Sequence, residues 1–303
     1  MLSLSTRTQG HALITGAGGQ VGRALREHPP QGWTVAACTS AELDVTSATQ
    51  VREVFAREHP TLVIHAAAYT AVDAAEAAAD RAEAVNARGT AHVAEAARDV
   101  GARLVHLSTD FVFDGAIGRP YTTEDAPNPL GVYGRTKLAG EREALRILGD
   151  RALVVRTAWV YSRHGTNFVL TMLRLMRERD EVGVVSDQVG TPTWARSLAT
   201  AVWAAAASPE LHGVLHWTDA GVASWYDFAV AIQEEALALG LLARAVPVRP
   251  LRTGEYPTRA RRPPYSVLDK QAAWAALGCP VHHWRESLRR MLSELKSPEA
   301  RPA

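Results

Sequence analysis

The sequence is poor in cysteine, with only Cys38 and Cys279 among its 303 residues. The two stand far apart and in no metal-ligand spacing, which fits a reducing compartment better than a disulfide framework. An excess of charge of one sign is also lacking, since the formal net charge is +1. That balance provides no field for nucleic acid or an anionic membrane, so we expect neither as a partner.

Long apolar runs are missing as well. No stretch is apolar enough to cross a bilayer, and the first residues, MLSLSTRTQGH, lack the apolar segment of a signal peptide. A cytoplasmic protein is the default expectation. The eleven histidines, including the pair at 282–283, show no metal-ligand spacing, so we predict no metal site. We expect the tail, residues 297–303, to be mobile.

Short apolar runs and alanine-rich helical segments alternate through the first half of the chain. The helical segments include residues 82–100. The predicted strands, nearly continuously apolar, are residues 11–15, 34–38, 62–68, 103–110 and 152–160. Uniformly apolar strands alternating with helices predict an α/β fold with a doubly wound parallel sheet.

The character of the chain changes after Tyr161, where tryptophans, prolines and arginines collect in irregular segments. Such segments suit a smaller C-terminal domain that closes over a ligand. We therefore predict a sheet domain over residues 11–161 and a substrate domain over residues 162–296. The strand-like stretch 213–219 could return to the sheet and complete the first domain.

A glycine-rich turn, LITGAGGQVGRAL, joins the first strand to the first helix. It satisfies G-x-x-G-x-x-G with Gly16, Gly19 and Gly22, whereas Val21 occupies the last glycine position of the G-x-G-x-x-G frame. A tight turn before a helix N-terminus is what a pyrophosphate requires. We predict an NAD(P)-binding Rossmann domain; a glycine-rich turn without a ligand is the alternative.

The end of the second strand bears on the choice of cofactor. Thr39 and Ser40 stand where an acidic residue would bind the ribose of NAD, and Arg23 could pair with a 2′-phosphate. This favours NADPH, with NADH possible. Asp44 and Val45 are placed for the adenine edge, and for Asp44 a helix N-cap is an equal alternative.

Tyr133 and Lys137 lie one helical turn apart and project from one face. Hydride delivered to a ketone creates an alkoxide that needs a proton, and a nearby ammonium would lower the pKa of the tyrosine that supplies it. Ser108, Thr109 and Asp110 end a predicted strand at the carboxyl edge, where doubly wound sheets bind ligands. A hydroxyl there can bind the substrate oxygen, so the combination predicts a ketone reductase.

The glycine turn, the STD strand end and YGRTK at residues 133–137 resemble the extended short-chain dehydrogenases/reductases. Other segments narrow the resemblance to the dTDP-4-dehydrorhamnose reductase family over about Ala12 to Leu292. These are HAAAYTAVDAAE (65–76), LSTDFVFDG (107–115), NPLGVYGRTKLAGE (128–141), RTAWVYS (156–162), NFVLTMLRL (167–175), SDQVGTPTWA (186–195), SWYDFA (224–229) and YPTRARRPPYSVLD (256–269).

The resemblance implies NADPH-dependent reduction of the 4-keto group of dTDP-4-dehydro-β-L-rhamnose to dTDP-L-rhamnose. Tyr133 would donate the proton, Lys137 would bind the ribose and adjust the tyrosine pKa, and Thr109 would tune the pair. The implied cofactor-binding residues are Gly16, Gly19, Gln20, Val21, Gly22, Asp44, Val45, Ala68, Tyr69, Thr70, Tyr133 and Lys137. The implied substrate-binding residues are Thr109, Asp110 and Trp159.

Two residues depart from the family pattern. His65 stands where asparagine is common, and we interpret it as packing. Ala24 stands where some members carry a glutamate that takes part in a magnesium-bridged dimer, so magnesium is possible but not supported, and either a monomer or a homodimer is expected.

The arginines of residues 258–264 are equally placed to bind the diphosphate or to form a solvated turn. We expect Trp225 and Tyr226 to pack at a helix start rather than contact ligand.

Two other functions stay open on the sequence. A related nucleotide-sugar enzyme could reduce the opposite face to give the 6-deoxytalose, or epimerise a sugar with tightly held NAD. A non-catalytic, cofactor-binding regulatory subunit is the second, although a scaffold has no need of Thr109, Tyr133 and Lys137 together. Stoichiometric consumption of NADPH separates the reductase from both.

Overall fold

The structure, a computed structural model, describes residues 10–296, so the predicted mobile tail 297–303 lies outside the described residues. The strands are β1 Gly10–Thr15, β2 Trp33–Cys38, β3 Leu62–His65, β4 Arg103–Thr109, β5 Ala152–Thr157, β6 Val160–Tyr161, β7 Val182–Val185, β8 Val189–Gly190, β9 Thr193–Trp194, β10 Gly213–His216, β11 Ala223–Ser224 and β12 Val248–Leu251.

The helices alternate with these strands in the first half and dominate the second. They are α1 Gln20–Glu27, α2 Ala48–Glu58, α3 Val72–Ala75, α4 Ala79–Glu83, α5 Gly89–Asp99, α6 Val132–Leu148, α7 Phe168–Glu178, α8 Ala195–Ala206, α9 Trp225–Ala238, α10 Gln271–Leu277 and α11 Trp284–Lys296. A π-turn covers Ala84–Arg88, and 3-10 turns cover Asp110–Val112, Gly149–Arg151 and Thr253–Glu255.

Six parallel strands form the central sheet, in the order β10-β5-β4-β3-β1-β2. Helices cover both of its faces, and the four inner strands are largely buried because the sheet lies between two layers. The predicted doubly wound α/β fold is confirmed. The predicted helical segment over residues 82–100 corresponds to the end of α4, the π-turn and α5, and the buried Asn86 lies in the π-turn.

Part of the sheet comes from beyond residue 161. Strand β10 pairs in parallel with β5, with Gly213 opposite Leu153. Helix α8 covers one face beside α1, where the indole N–H of Trp203 donates to the Leu25 carbonyl at 3.1 Å. The fully buried Trp217, just after β10, belongs to the same core.

A second apolar core lies among α7, α9 and α11. Phe228 and Ile232 of α9 pack with Leu288 and Met291 of α11, and all four are buried. Helix α9 starts at a capping box, in which Ser224 and Asp227 satisfy each other's backbone N–H groups. Nowhere in residues 10–296 is a helix both long and apolar enough to span a membrane.

Candidate active site

The glycine turn after β1 packs tightly against neighbouring backbone, which leaves no room for side chains at two of its glycines. Gly16 has a φ of +70°, and a Cβ there would lie 2.5 Å from the Ala67 backbone nitrogen. A Cβ at Gly22 would lie 2.3 Å from the Gly16 carbonyl oxygen. Helix α1 starts immediately afterwards, so the N–H groups of its first turn are free to bind an anion. The turn therefore fits a pyrophosphate.

Gln20, the first residue of α1, uses its side chain elsewhere. Its Oε1 accepts from the Ser162 hydroxyl and from the Asn167 amide, both at 3.0 Å. Asn167 is the N-cap of α7. Only the backbone of Gln20 is therefore available to a cofactor at the turn, and its side chain fixes the turn to the first helix of the second core.

A carboxylate that sequence reasoning missed lies at the end of β2. The backbone N–H and the hydroxyl of Thr39 donate to Glu42 Oε2 at 2.8 and 2.9 Å. These hydrogen bonds lower the pKa of Glu42. Arg23 is near, its Nε donating to the Gly18 carbonyl at 3.0 Å. The T-x-x-E spacing of a capping box was the signal available in the sequence.

Asp44 closes a turn rather than a helix. Its carboxylate accepts from the backbone N–H and the hydroxyl of Thr46, at 2.9 and 2.8 Å. The N-cap of α2 is Ser47, which accepts from the Gln50 N–H, so the N-cap alternative for Asp44 is wrong. Val45 is buried next to Gly89, and its carbonyl contacts the His92 ring at 3.0 Å.

The loop Ala68–Thr70, at the carboxyl end of β3, is held by a buried amide. Asn86 Oδ1 accepts from the Tyr69 N–H at 2.7 Å, and its Nδ2 donates to the Tyr69 carbonyl and to the Thr136 hydroxyl at 3.2 and 3.0 Å. Asn86 thus joins the loop to α6. Sequence reasoning missed Asn86, because the helical composition of residues 82–100 does not indicate the π-turn in which it is buried.

Helix α6, which carries Tyr133 and Lys137, is capped from a distance. Its N-cap, Gly131, has no side chain, and the Glu76 carboxylate accepts from the Val132 N–H at 2.7 Å instead. A negative charge there also complements the helix dipole. A Cβ at Gly134 would lie 2.2 Å from the Phe111 carbonyl, so the glycine lets α6 lie directly against the end of β4.

Lys137 is buried, with 2% of its surface exposed. Its Nζ donates to the Leu107 carbonyl at 2.7 Å and lies 3.3 Å from His106 Nε2. Burial lowers the pKa of Lys137 to about 8, and the charge of Glu141 opposes this. The ammonium is therefore fixed against β4.

The phenol of Tyr133 does not have the lowered pKa that the Tyr-x-x-x-Lys pair predicts. Desolvation raises the pKa of Tyr133 to about 12; the Thr109 hydroxyl acts to lower it, and the charge of Asp110 acts to raise it. Desolvation is the dominant effect, and Lys137 is hydrogen-bonded to β4. The phenol stays protonated at neutral pH. It is therefore ready to act as an acid rather than as a base.

Asp110 is buried at the end of β4 with one oxygen unused. Its Oδ1 accepts from the Thr109 hydroxyl at 3.1 Å. No group of the described residues donates a hydrogen bond to Oδ2, although the Ser266 hydroxyl is near enough to oppose the rise in the pKa of Asp110. Burial raises the pKa of Asp110 to about 6. An orphaned buried carboxylate oxygen is costly, and a ligand hydroxyl would satisfy it.

An aromatic cleft opens beside these residues. Its lining residues are Phe111, Trp159, Gln188, Trp225, Arg262, Pro263 and Ser266. Trp159 adopts a φ of +47° and stacks on Trp225, the ring centroids 3.5 Å apart at an interplanar angle of 4°. Trp225 starts α9 as predicted but also lines the cleft. Phe111 joins the cleft to Tyr133 through an edge contact at 5.7 Å.

Of the arginines at 258–264, Arg262 faces the cleft and is ion-paired. Its Nη2 lies 2.7 Å from Asp73 Oδ2 on α3, and the Ala260 N–H donates to the same carboxylate at 3.0 Å. The guanidinium lowers the pKa of Asp73. The segment is therefore tied across the cleft to α3 and is not a freely solvated turn.

Comparison with known proteins places the chain in a family. The family model described as RmlD substrate binding domain matches residues 10–297. The chain belongs to the dTDP-4-dehydrorhamnose reductase family. A reductase of that name from Streptomyces griseus is 43% identical over 296 residues, covering 96% of this chain and 95% of the relative. A dTDP-4-keto-6-deoxy-D-glucose reductase from Streptomyces niveus is 40% identical over 295 residues, covering 95% and 98%.

A solved member of the family shares the fold. The dTDP-4-dehydrorhamnose reductase of Bacillus anthracis, in complex with NADP, matches with a TM-score of 0.88 at 36% identity, covering 94% of this chain and 99% of that one. The family assignment made from the motifs is confirmed.

The two departures from the family pattern have different surroundings. His65 is buried and hydrogen-bonded to the hydroxyls of Thr15 and Thr90 at 2.6 and 3.2 Å. Ala24 is buried on α1. Within residues 10–296, no group of three or more histidine, cysteine, aspartate or glutamate side chains is placed to hold a metal ion.

Proposed function

We propose that the protein uses NADPH to reduce the 4-keto group of dTDP-4-dehydro-β-L-rhamnose, giving dTDP-L-rhamnose in the last step of that sugar's synthesis. The observation that carries the proposal is the meeting of α6 with the carboxyl end of β4. There Tyr133, Thr109 and Asp110 interact beside an aromatic cleft.

The glycine turn suits the cofactor because helix α1, which follows it, presents uncapped N–H groups. A bound NADPH would supply the hydride that reduces the carbonyl carbon. The first turn of α1 would hold its pyrophosphate, and the loop fixed by Asn86 would border the nicotinamide half. Lys137, with two of its three N–H donors used by the protein, has one left for the ribose.

Tyr133 gives its phenolic proton to the substrate oxygen as that oxygen becomes a hydroxyl. A phenol with a pKa of about 12 is still a stronger acid than an alcohol, so the transfer is favourable. Thr109 hydrogen-bonds the same oxygen and orients the phenol. The free Oδ2 of Asp110 accepts from a sugar hydroxyl, which satisfies its missing bond.

The cleft would take the rest of the dTDP-sugar. Trp159 and Trp225 offer stacked apolar faces, and Arg262 offers charge to a diphosphate. We propose that residues 11–161, together with 213–219, bind cofactor and that residues 162–296 bind the nucleotide sugar, with α8 as a structural part of the first unit. We further propose a cytoplasmic monomer or homodimer without a nucleic-acid partner.

The direct test supplies purified protein with NADPH and the dTDP-4-keto-6-deoxy-L-sugar and identifies the product by NMR. We expect one NADPH consumed per sugar and the L-rhamnose configuration at C4. Formation of the 6-deoxy-L-talose epimer instead would show that the hydride is delivered to the opposite face of the sugar. Interconversion without net NADPH consumption would favour an epimerase, and binding of cofactor without either would favour the regulatory subunit.

Glu42 should set the cofactor preference. Its carboxylate occupies the Thr39 N–H and hydroxyl, donors that would otherwise be available to a 2′-phosphate. We expect Glu42→Gln to tighten NADPH binding by about tenfold while leaving NADH nearly unchanged, because the substitution removes a negative charge that would repel the 2′-phosphate. Fluorescence titration of both cofactors measures this. Glu53→Gln, which removes an exposed carboxylate on α2, is the matched control. Equal changes in the affinities for NADPH and NADH would contradict this role of Glu42 in cofactor preference.

A further inference from the structure

The Lys137 ammonium has more acceptors inside the protein than its assigned role requires. Two of its N–H donors are directed into β4, towards the Leu107 carbonyl at 2.7 Å and His106 Nε2 at 3.3 Å. The carbonyl at position 107 belongs to the backbone, so any residue there would provide this acceptor. His106 is different, because only a side chain with an acceptor at that point can complete the arrangement.

The tautomer of His106 follows from its neighbour. Facing an ammonium, Nε2 must carry the lone pair, so the proton of the neutral ring is on Nδ1. A doubly protonated ring is disfavoured, because burial and the charge of Lys137 hold the pKa of His106 well below its usual value. Nδ1 is buried without a hydrogen-bond partner in the described part of the chain.

That orphaned N–H is informative. An unsatisfied buried donor is destabilising, because it has lost its hydrogen bonds to water without gaining others. The stacking of His106 on His65, at a centroid distance of 5.2 Å, needs a flat ring but no nitrogen directed at Lys137. A leucine or phenylalanine would fill the site without the unsatisfied group, so packing alone does not explain a histidine here.

We propose that His106 is a positioning residue, whose Nε2 acceptor keeps Lys137 charged and directs its remaining N–H donor towards the cofactor ribose. This assignment rests on the proposed reductase function for its catalytic meaning. The hydrogen bond that it assigns to the ammonium does not depend on the substrate.

The other charged groups around Lys137 do not replace this acceptor. Glu141, one turn further along α6, accepts three hydrogen bonds from Arg156 and one from the Ser108 hydroxyl. His65 on β3 is neutral, with burial lowering its pKa to about 3. Tyr133 on α6 is protonated at neutral pH, and the carboxyl group of Asp110 after β4 is bonded to Thr109.

The chain permits a direct measurement because it contains only three lysines, Lys137, Lys270 and Lys296. Lysine labelled with ¹³C at Cε gives one signal for each, and Lys137→Met identifies the signal of interest. Titration of the intact, ligand-free protein should give Lys137 a pKa near 8. In His106→Leu we expect the pKa of Lys137 to fall by about one pH unit, because the charged form loses a hydrogen-bond acceptor.

Matched variants separate hydrogen bonding from packing. His106→Gln places an amide oxygen near the Nε2 position and should restore most of the wild-type Lys137 pKa. The asparagine of His106→Asn is polar but too short to reach Lys137, so this variant should resemble His106→Leu. If His106→Leu does not fold, His106→Asn provides the same measurement. His65→Asn leaves the acceptor in place and should titrate like wild type. An unchanged Lys137 pKa in both His106→Leu and His106→Asn would overturn the proposal.

Catalysis provides the second readout. With NADPH and the keto sugar, His106→Leu should lower kcat by about tenfold at pH 8 and move the alkaline limb of the kcat profile to lower pH, while His106→Gln keeps the wild-type limb. A uniform loss of rate with no shift of the limb would mark a purely structural role and overturn the proposal. If the wild-type protein does not reduce the sugar, the proposed function fails, and the lysine titration still decides the role of His106.

Discussion

Tyr133→Phe is expected to lower the turnover of the 4-keto sugar by about 10²–10⁴-fold, the usual value of general acid catalysis. The substitution removes only the hydroxyl. The ring keeps its edge contact with Phe111, so the cleft should survive. NADPH affinity should stay close to that of the wild type. Single-turnover rates and cofactor titrations measure the two quantities separately.

Two neighbouring variants serve as controls for that result. Lys137→Met should reduce both the rate and the affinity for NADPH, because the ammonium that would bind the ribose and so position the nicotinamide is lost. Thr109→Val should slow reduction less than Tyr133→Phe, since the threonine orients the reacting groups without donating the proton. If Tyr133→Phe turned over at near the wild-type rate, α6 would carry no proton donor and the mechanism would be wrong.

Arg156→Leu is expected to cost about 3–5 kcal/mol of the free energy of unfolding. Arg156 on β5 and Glu141 on α6 are 4% and 2% exposed, and they form a bidentate pair at 2.7 and 3.0 Å. Removal of the arginine leaves a buried carboxylate with only the Ser108 hydroxyl opposite it. Urea denaturation followed by circular dichroism measures the loss.

The double variant Glu141→Met/Arg156→Leu tests the cause. If an uncompensated charge is responsible, removal of both partners should recover most of the lost stability, because two apolar side chains of similar volume can replace a buried ion pair. A double variant as unstable as Arg156→Leu alone would mean that packing around Arg156, including its position over the Phe113 ring, matters more than charge.

The fold was predictable because its signals are local. Every strand of the sheet is a short apolar run. A strand that is covered on both faces is apolar at consecutive positions, so it can be recognised from the sequence. Even the stretch at 213–219 could be recognised as a strand. Its place beside β5 could only be suspected, since the pairing depends on the path of the chain between residues 161 and 213. The π-turn at 84–88 could not be predicted, because its composition is that of a regular helix.

The candidate site was predictable only where one segment carries the whole pattern. The glycine turn and the spacing of Tyr133 and Lys137 are of this kind. Asn86 and Glu76 were missed because they act on loops and helix ends distant in sequence. The direction of the Tyr133 pKa was wrong for a related reason: desolvation is a property of all the surrounding atoms, and no spacing of two residues reports it.

The return of β10 to the edge of the sheet has a consequence for synthesis on the ribosome. When residue 161 has just been made, β5 is an open edge with unpaired backbone groups, and the face that α8 will cover is bare. More than fifty further residues must be translated before Trp217 and its strand arrive. The six-stranded sheet cannot be completed before β10 is made, so the edge of β5 stays open to pairing with other strands throughout that interval.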